Sequence, residues 1–162
     1  MRLAEIMLPE FDREMARTRR TLAAVPAGQM EFKPHESLHT ISWNANHIVD
    51  LVGWTPLIIG ASEFDMAPVE GPKPQSLSIA DPALLLAEFD KNVATARAAL
   101  EAVSDATLAE SWSLKAGGQV LFTISKGECV RTWVLNHAVH HRAILSVYLR
   151  MAGVTVTPPY DG

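Results

Sequence analysis

Apolar residues recur along this chain at alternating steps of three and four, and in four segments this spacing predicts amphipathic helices. The helices are expected near residues 4–25, 40–60, 82–103 and 126–152. The last would be about 40 Å long at about 1.5 Å per residue, so we expect it to form the spine of the molecule. The pattern therefore predicts an all-α fold, a four-helix bundle, in a single domain that spans residues 1–162.

Residues that favour helix ends stand at the predicted boundaries. Thr40 and Asp81 are suitable N-caps for the second and third helices. Ser125 and Glu128 match the S-x-x-E capping box ahead of the fourth helix, and Gly153 is placed to end it.

Two prolines interrupt the helical pattern. Pro9 is tolerated in a first turn, so the regular part of the first helix is expected to begin there. Pro56 is expected to kink or end the second helix near its last turn, because it lacks a backbone donor and clashes with the preceding turn.

Two connections stand out between the predicted helices. Residues 61–80 are rich in proline and glycine and predict a long excursion along the outside of the domain. Residues 104–124 contain two β-prone stretches on either side of Gly117 and Gly118, which predict either a short hairpin or a loop.

Two histidines interrupt the apolar stripe of the fourth helix. With an a/d spacing that is typical of a packed bundle, this stripe consists of Val130, Val134, His137, His141, Ile144, Tyr148 and Met151. Side chains four residues apart differ by about 40° around a helix axis. Both rings can therefore reach a common point inside the bundle, whereas His140 lies to one side, where it could instead pair with His137.

Burying imidazoles in an apolar row costs about 1–3 kcal/mol for each ring that lacks a partner. Either hydrogen bonds within the core or a divalent metal could satisfy them, and neutral imidazole is a common metal ligand. His47 is the best candidate for a third ligand, because it interrupts a second apolar face formed by Leu51, Trp54 and Ile58. His35 and His39 precede that helix and are weaker candidates.

Few other residues indicate a particular chemistry. Cys129, in the first turn of the fourth helix, is interpreted as an ordinary thiol without a catalytic partner. Asp50, three residues after His47, either orients a metal ligand or faces solvent.

Composition narrows the functional classes. The 162 residues carry a net charge of −4, which argues against nucleic-acid binding through phosphate neutralisation. The chain has one cysteine, no apolar run long enough to span a membrane and no signal-peptide pattern at its start. We therefore expect a cytoplasmic protein that binds neither nucleic acid nor membrane.

Two stretches of the chain resemble a known family. The segment Asn136–Tyr160, which begins Asn-His-Ala-Val-His-His-Arg, resembles the final helix and tail of the DinB-like (YfiT-like) metalloenzymes. The segment Ser42–His47, Ser-Trp-Asn-Ala-Asn-His, resembles the second helix of the same family. Chain length and the long 61–80 connection agree with this resemblance.

The resemblance implies an up-down-down-up four-helix bundle that is often dimeric. It also implies a divalent metal, zinc or nickel among others, held by His47, His137 and His141. Characterised relatives include transferases and isomerases that use low-molecular-weight thiols such as bacillithiol or mycothiol. The family commonly has His-His-Arg-Gly-Gln at this point, whereas residues 140–144 of this chain read His-His-Arg-Ala-Ile. The apolar Ile144 therefore cannot make a hydrogen bond that the glutamine of relatives would make in the pocket.

The functional prediction is a metal-dependent enzyme that activates a small thiol for transfer to a small electrophilic substrate. A hydrolase that uses water at the same site is the nearest alternative, and a non-enzymatic metal-binding or stress-response module is the second. A homodimer is expected. The single cysteine indicates that the thiol would come from outside the chain.

Overall fold

The computed structural model describes residues 2–158 and is mostly helical. Its long helices are α1 (Leu3–Ala23), α2 (Ile41–Gly60), α3 (Pro82–Ala102) and a continuous C-terminal helix. The C-terminal helix consists of α5 (Lys126–Cys129), a π-helical segment (Val130–Asn136) and α6 (His137–Met151). The shorter elements are a 3₁₀ turn (Ala27–Gln29), β1 (Glu63–Asp65), α4 (Asp105–Ala109), β2 (Ser111–Ala116) and β3 (Gln119–Ser125).

Contacts between α1, α2 and α3 establish their relative directions. Helices α1 and α3 are antiparallel, because an early residue of one pairs with a late residue of the other, as in the ion pairs Arg19–Asp90 and Asp12–Arg97. Helices α2 and α3 are parallel. Ile79, just before the start of α3, bonds to Asn46 in the first half of α2, and Asn92 in the middle of α3 bonds to Val49 farther along α2.

The C-terminal helix completes the bundle between α1 and α2. It is antiparallel to α2, as the pairs Asn44–His141 and Ile59–Lys126 show. It is parallel to α1, as the pairs Glu10–Arg131 and Glu14–Arg142 show. The four long helices therefore run up, down, down and up in chain order. The connection of residues 61–80 has to travel back along the bundle, because the parallel neighbours α2 and α3 begin at the same end.

The all-α prediction is wrong in one respect, since a three-stranded sheet packs beside the helices. Strand β1 pairs in parallel with β2, with Phe64 opposite Leu114, and β2 pairs in antiparallel fashion with β3. Gly117 and Gly118 have φ values of 61° and 77° and form the hairpin turn, because glycine adopts such angles without steric cost. Residues 104–124 were expected to contain either a short hairpin or a loop, and the structure shows the hairpin formed by β2 and β3.

Most helix ends agree with the capping signals. The Thr40 hydroxyl accepts the Trp43 amide at 3.0 Å, the Asp81 carboxylate accepts the Ala83 amide at 2.7 Å, and the Ser125 hydroxyl accepts the Glu128 amide at 3.2 Å. Gly153 has a φ of 81° and follows the C-terminal helix, as its C′ position requires.

The expectation for Pro9 is wrong, because α1 begins at Leu3 and contains this proline in its interior. The carboxylate of Asp105, at the start of α4, accepts the Leu3 amide at 2.8 Å. This tertiary contact acts together with a local one, in which the Glu5 carboxylate accepts the Arg2 amide at 3.2 Å. Pro56 lies within α2, which continues for one more turn and ends at Gly60.

The π-helical segment changes which face of the C-terminal helix enters the core. A π turn contains more residues than an α turn, so the fully buried row continues from Val134 to Ala138 rather than to His137. His137 is only half-buried, and Met151 is 58% exposed. The predicted a/d stripe is therefore wrong at these two positions. None of the helices among residues 2–158 is both long and apolar enough to cross a membrane.

Candidate metal centre

Three histidines meet between α2 and the C-terminal helix. His47, His137 and His141 each offer one ring nitrogen, and the three nitrogens lie within 4.8 Å of one another. The Nε2 atoms of His137 and His141 are 3.1 Å apart, and the ring of His47 is centred 4.5 Å from that of His141. The structure thus brings together the three residues that the stripe pattern and the family resemblance indicate.

Asn44 orients the most buried of these rings. Its amide Nδ2 donates to the carbonyl of Thr40 at 3.0 Å, which leaves Oδ1 to accept from Nδ1 of His141 at 3.1 Å. His141 therefore carries its proton on Nδ1 and directs the lone pair of Nε2 toward the cluster. Asn44 is a functional residue that the sequence analysis missed. Its position three residues before His47, on the same helix face, was the available signal.

Burial keeps the cluster uncharged. It lowers the pKa of His47 from 6.5 to about 4 and that of His141 to about 3, and neighbouring imidazoles add to both shifts. Burial also lowers the pKa of His137, although the backbone of Trp133 opposes this. The Nε2 atoms of His137 and His141 share a hydrogen bond at 3.1 Å, which His137 donates because His141 carries its proton on Nδ1. A change of tautomer at His137 frees its Nε2 lone pair, so that all three rings can present a neutral donor nitrogen to one point. The donor set therefore fits a divalent metal, which binds neutral imidazole.

An apolar pocket of about 330 Å³ opens beside the cluster. This volume lies at the lower end of the range for small-molecule sites, about 300–1,000 Å³. Its walls come from α2, the 61–80 connection, the β2–β3 hairpin and the π-helical segment; the lining residues are His47, Asp50, Leu51, Trp54, Met66, Ser76, Leu114, Leu121, Phe122, Trp133 and His137.

Tertiary contacts hold the walls of this pocket in place. Phe122 of the hairpin stacks on Trp133 of the π-helical segment, with ring centroids 4.6 Å apart. Asn46 exchanges two hydrogen bonds with the backbone of Ile79, at 2.7 and 3.0 Å, and so fastens the end of the long connection to α2. The connection and the hairpin, which carry none of the three histidines, therefore shape the space in front of them.

Asp50 lies at the junction of this pocket and a second cavity of about 180 Å³. The second cavity, here called the annex, is lined by Asp50, Trp54, Phe64, Met66, Pro74, Gln75 and Ser76. Burial raises the pKa of Asp50, and a hydrogen bond from the backbone of Leu77 partly opposes that shift. The solvent-facing interpretation of Asp50 is wrong, because its side chain faces both cavities.

The other histidines lie outside the cluster. His39 stacks on Trp43 at 3.7 Å between centroids, and Trp43 in turn stacks on His47 at 4.7 Å. His35 shares a hydrogen bond with Ser37 at 2.8 Å. His140 is exposed, with its ring centred 5.0 Å from that of His141.

Cys129 and Ile144 take no part in the site. Burial raises the pKa of the Cys129 thiol to about 12, and the nearby Glu128 carboxylate contributes to the shift. Such a thiol forms almost no thiolate at neutral pH and is a poor nucleophile. Ile144 packs against the hydrophobic core and does not line the pocket.

Arg142, which follows His141 in the sequence, connects the C-terminal helix to α1. Its side chain is 3% exposed, forms an ion pair with Glu14 at 2.7 Å and donates to the Glu14 carbonyl at 3.1 Å. The His-His-Arg sequence therefore directs His141 toward α2 and the adjacent Arg142 toward α1.

A helical bundle with a cluster of three histidines beside an apolar pocket defines the structural class of this chain. A family profile described as the DinB superfamily matches residues 10–145. The chain therefore belongs to the DinB superfamily. No curated protein matches its sequence significantly.

Solved structures share the fold at low sequence identity. A DinB-like protein from Bacillus cereus ATCC 10987 is 20% identical, with a TM-score of 0.69 and 93% of each chain covered. The DinB-like protein YjoA from Bacillus subtilis is 15% identical, with a TM-score of 0.68 and coverage of 93% of this chain and 94% of that one.

A third solved structure is that of YfiT from Bacillus subtilis, described as a probable metal-dependent hydrolase with an unusual four-helix bundle topology. It is 16% identical, with a TM-score of 0.70, and the alignment covers 94% of this chain and 89% of YfiT.

Proposed function

We propose that this protein is a metal-dependent enzyme in which His47, His137 and His141 hold a divalent cation, zinc or nickel. The observation that carries the proposal is the meeting of three neutral imidazoles within 4.8 Å at the wall of an apolar pocket. The substrate is a small electrophilic molecule that occupies the pocket. The nucleophile is a low-molecular-weight thiol of the bacillithiol or mycothiol type, because Cys129 is buried and cannot supply a thiolate.

Each group of residues at such a site has a separate role. Asn44 holds His141 in the tautomer that presents Nε2, and His47 and His137 supply the other two nitrogens. When bound, a divalent cation with three neutral ligands supplies Lewis acidity that lowers the pKa of a thiol or water at its open position. The aromatic walls, Trp54, Phe122 and Trp133, exclude bulk water from the substrate and hold its apolar part.

Hydrolysis is the second candidate function. It is supported by the structural similarity to YfiT, which is described as a probable metal-dependent hydrolase. Water would then replace the thiol as nucleophile at the same ligands.

The metal site is tested by elemental analysis of protein that was purified without a metal-affinity tag. We expect about one zinc or nickel ion per chain, and we expect His47→Ala to weaken zinc affinity by about 100-fold or more, since it removes a direct ligand. His140→Ala is the matched control, because it removes an exposed imidazole next to the cluster. Equal zinc affinity in the wild type and His47→Ala would disprove the site.

The chemistry is tested by incubating zinc- and nickel-loaded protein with panels of thiols, small electrophiles and esters. Mass spectrometry distinguishes a thiol adduct from a hydrolysed product. Adducts whose formation requires His47 support the thiol transferase, and hydrolysis that requires His47 supports the alternative. Stoichiometric metal without turnover of any panel member would favour the non-enzymatic module. The predicted homodimer is tested on the same samples by light scattering.

A further inference from the structure

The charge distribution around the pocket restricts the substrate further. Among the residues of the described range 2–158 that line the pocket and the annex, Asp50 is the only acidic one, and none is a lysine or arginine. An anionic group, such as a carboxylate or phosphate, would therefore find no protein cation there. It would also face the Asp50 carboxylate in surroundings of low dielectric constant, where like charges repel strongly.

Asp50 retains free hydrogen-bonding capacity at this position. Within residues 2–158, the Asp50 carboxylate accepts one hydrogen bond, from the backbone amide of Leu77. An ionised carboxylate has about four acceptor positions on its two oxygens. A half-buried acceptor with unused capacity favours a ligand that donates a hydrogen bond, and such a bond to a charged group is among the stronger ones.

The two cavities also define the shape of the ligand. They share Asp50, Trp54, Met66 and Ser76, so they adjoin each other with Asp50 on their common border. The end beside His137 is apolar, with Phe122 and Trp133 among its walls, whereas the annex includes the polar side chains of Gln75 and Ser76.

From these observations we propose that the pocket selects a two-part substrate: an aryl or branched-alkyl body beside the histidine cluster, joined to an uncharged, hydrogen-bond-donating end, such as an amide, that Asp50 binds. Substrates with a carboxylate or phosphate at that end are rejected. This inference rests on the proposed function for the identity of the site, and it makes Asp50 its specificity-determining residue.

The test compares two probes of nearly equal shape, hydrocinnamamide and hydrocinnamate. Each is titrated into the full-length chain with metal removed, so that no bound cation attracts the carboxylate. Binding is followed by the NMR signals of the Trp54 and Trp133 indole groups. We expect the amide to bind about tenfold or more tightly than the carboxylate, as a hydrogen bond to a charged acceptor allows. Equal binding, tighter binding of hydrocinnamate or no binding of either probe would overturn the inference.

Two variants test the role of Asp50. Asp50→Asn retains an oxygen to accept the Leu77 amide but loses the charge, and we expect it to bring the affinity ratio of the two probes close to unity. Glu70→Gln removes the same charge from an exposed position of the 61–80 connection and should keep the wild-type ratio. Circular dichroism verifies that both variants fold. An unchanged ratio in folded Asp50→Asn overturns the assignment of Asp50.

Zinc binding is measured on the same preparations. If zinc binding requires His47 but the two probes bind equally, the substrate inference alone is overturned. The expected probe preference without zinc binding overturns the proposed function and leaves the ligand preference of the pocket standing.

Discussion

At the scale of single residues, the site depends on how each imidazole is oriented. His141 is 8% exposed, and Asn44 determines which of its nitrogens faces the cluster. The periodicity of the sequence places His47, His137 and His141 on inward faces, but it contains no information on tautomers. Sequence spacing places Asn44 on the same helix face as His47, but it does not reveal the hydrogen bond to His141, which joins residues 97 positions apart.

We predict that Asn44→Ala weakens zinc affinity by about 10- to 100-fold, the usual effect of losing the partner of a metal-binding histidine. The physical reason is that His141 becomes free to rotate or to change its tautomer. Competition with a chromophoric chelator measures the affinity. Asn136→Ala, at an exposed position on the C-terminal helix, is the control and should bind zinc normally. Wild-type affinity in Asn44→Ala would show that His141 is held by packing alone.

At the scale of elements, the C-terminal helix connects the two sides of the bundle. Its π-helical segment moves Ala138 into the core row and leaves His137 at the pocket. Helix periodicity assumes a constant number of residues per turn, so it could not predict this change of face. The sequence left residues 104–124 as either a hairpin or a loop. It could not decide between them, because short β-prone stretches are stabilised by their neighbours as much as by their own residues.

The element-scale prediction concerns the junction of α1 with α6. Arg142→Met should lower the free energy of unfolding by about 3 kcal/mol, the lower end of the cost of breaking a buried ion pair. It leaves the Glu14 carboxylate, whose side chain is 13% exposed, with Arg17 as its remaining ion-pair partner. Urea denaturation provides the measurement.

The double variant Glu14→Gln/Arg142→Met is the control for that prediction. It should recover part of the loss, because the interface then no longer holds the Glu14 carboxylate without Arg142. A double variant that is less stable than Arg142→Met would contradict the explanation by charge burial.

At the scale of the whole molecule, the bundle buries three imidazoles at one place, and this affects folding as well as function. A folded chain that holds these rings uncharged binds fewer protons than the unfolded chain in mildly acidic solution. The burial of these rings therefore underlies both the proposed metal site and the sensitivity to acid that we expect.

We predict that the metal-free protein loses stability as the pH falls from about 7 toward 4. In the unfolded chain the histidines take up protons near pH 6.5, whereas His47 and His141 resist protonation until about 4 and about 3. Stability is therefore fully present above pH 6.5 and is lost as the pH falls through that interval. Asp50 acts in the opposite sense, because its pKa is raised in the folded state.

Thermal unfolding between pH 4 and pH 8 tests this prediction. His47→Gln, which cannot take up a proton, should flatten the dependence, and His140→Gln should leave it as in the wild type. Zinc should raise the unfolding temperature at pH 7 by mass action and lose this effect as the ligands become protonated. A melting temperature that rises from pH 7 to pH 5 would contradict the burial of neutral histidines.

The sequence by itself determined the long helices, most of their caps and the three histidines that meet, because helix periodicity and capping act between residues a few positions apart. The tertiary structure alone decided the sheet, the change of face at His137, the orientation of His141 by Asn44 and the pocket position of Asp50. Each of these depends on contacts between distant segments, and local spacing cannot specify them.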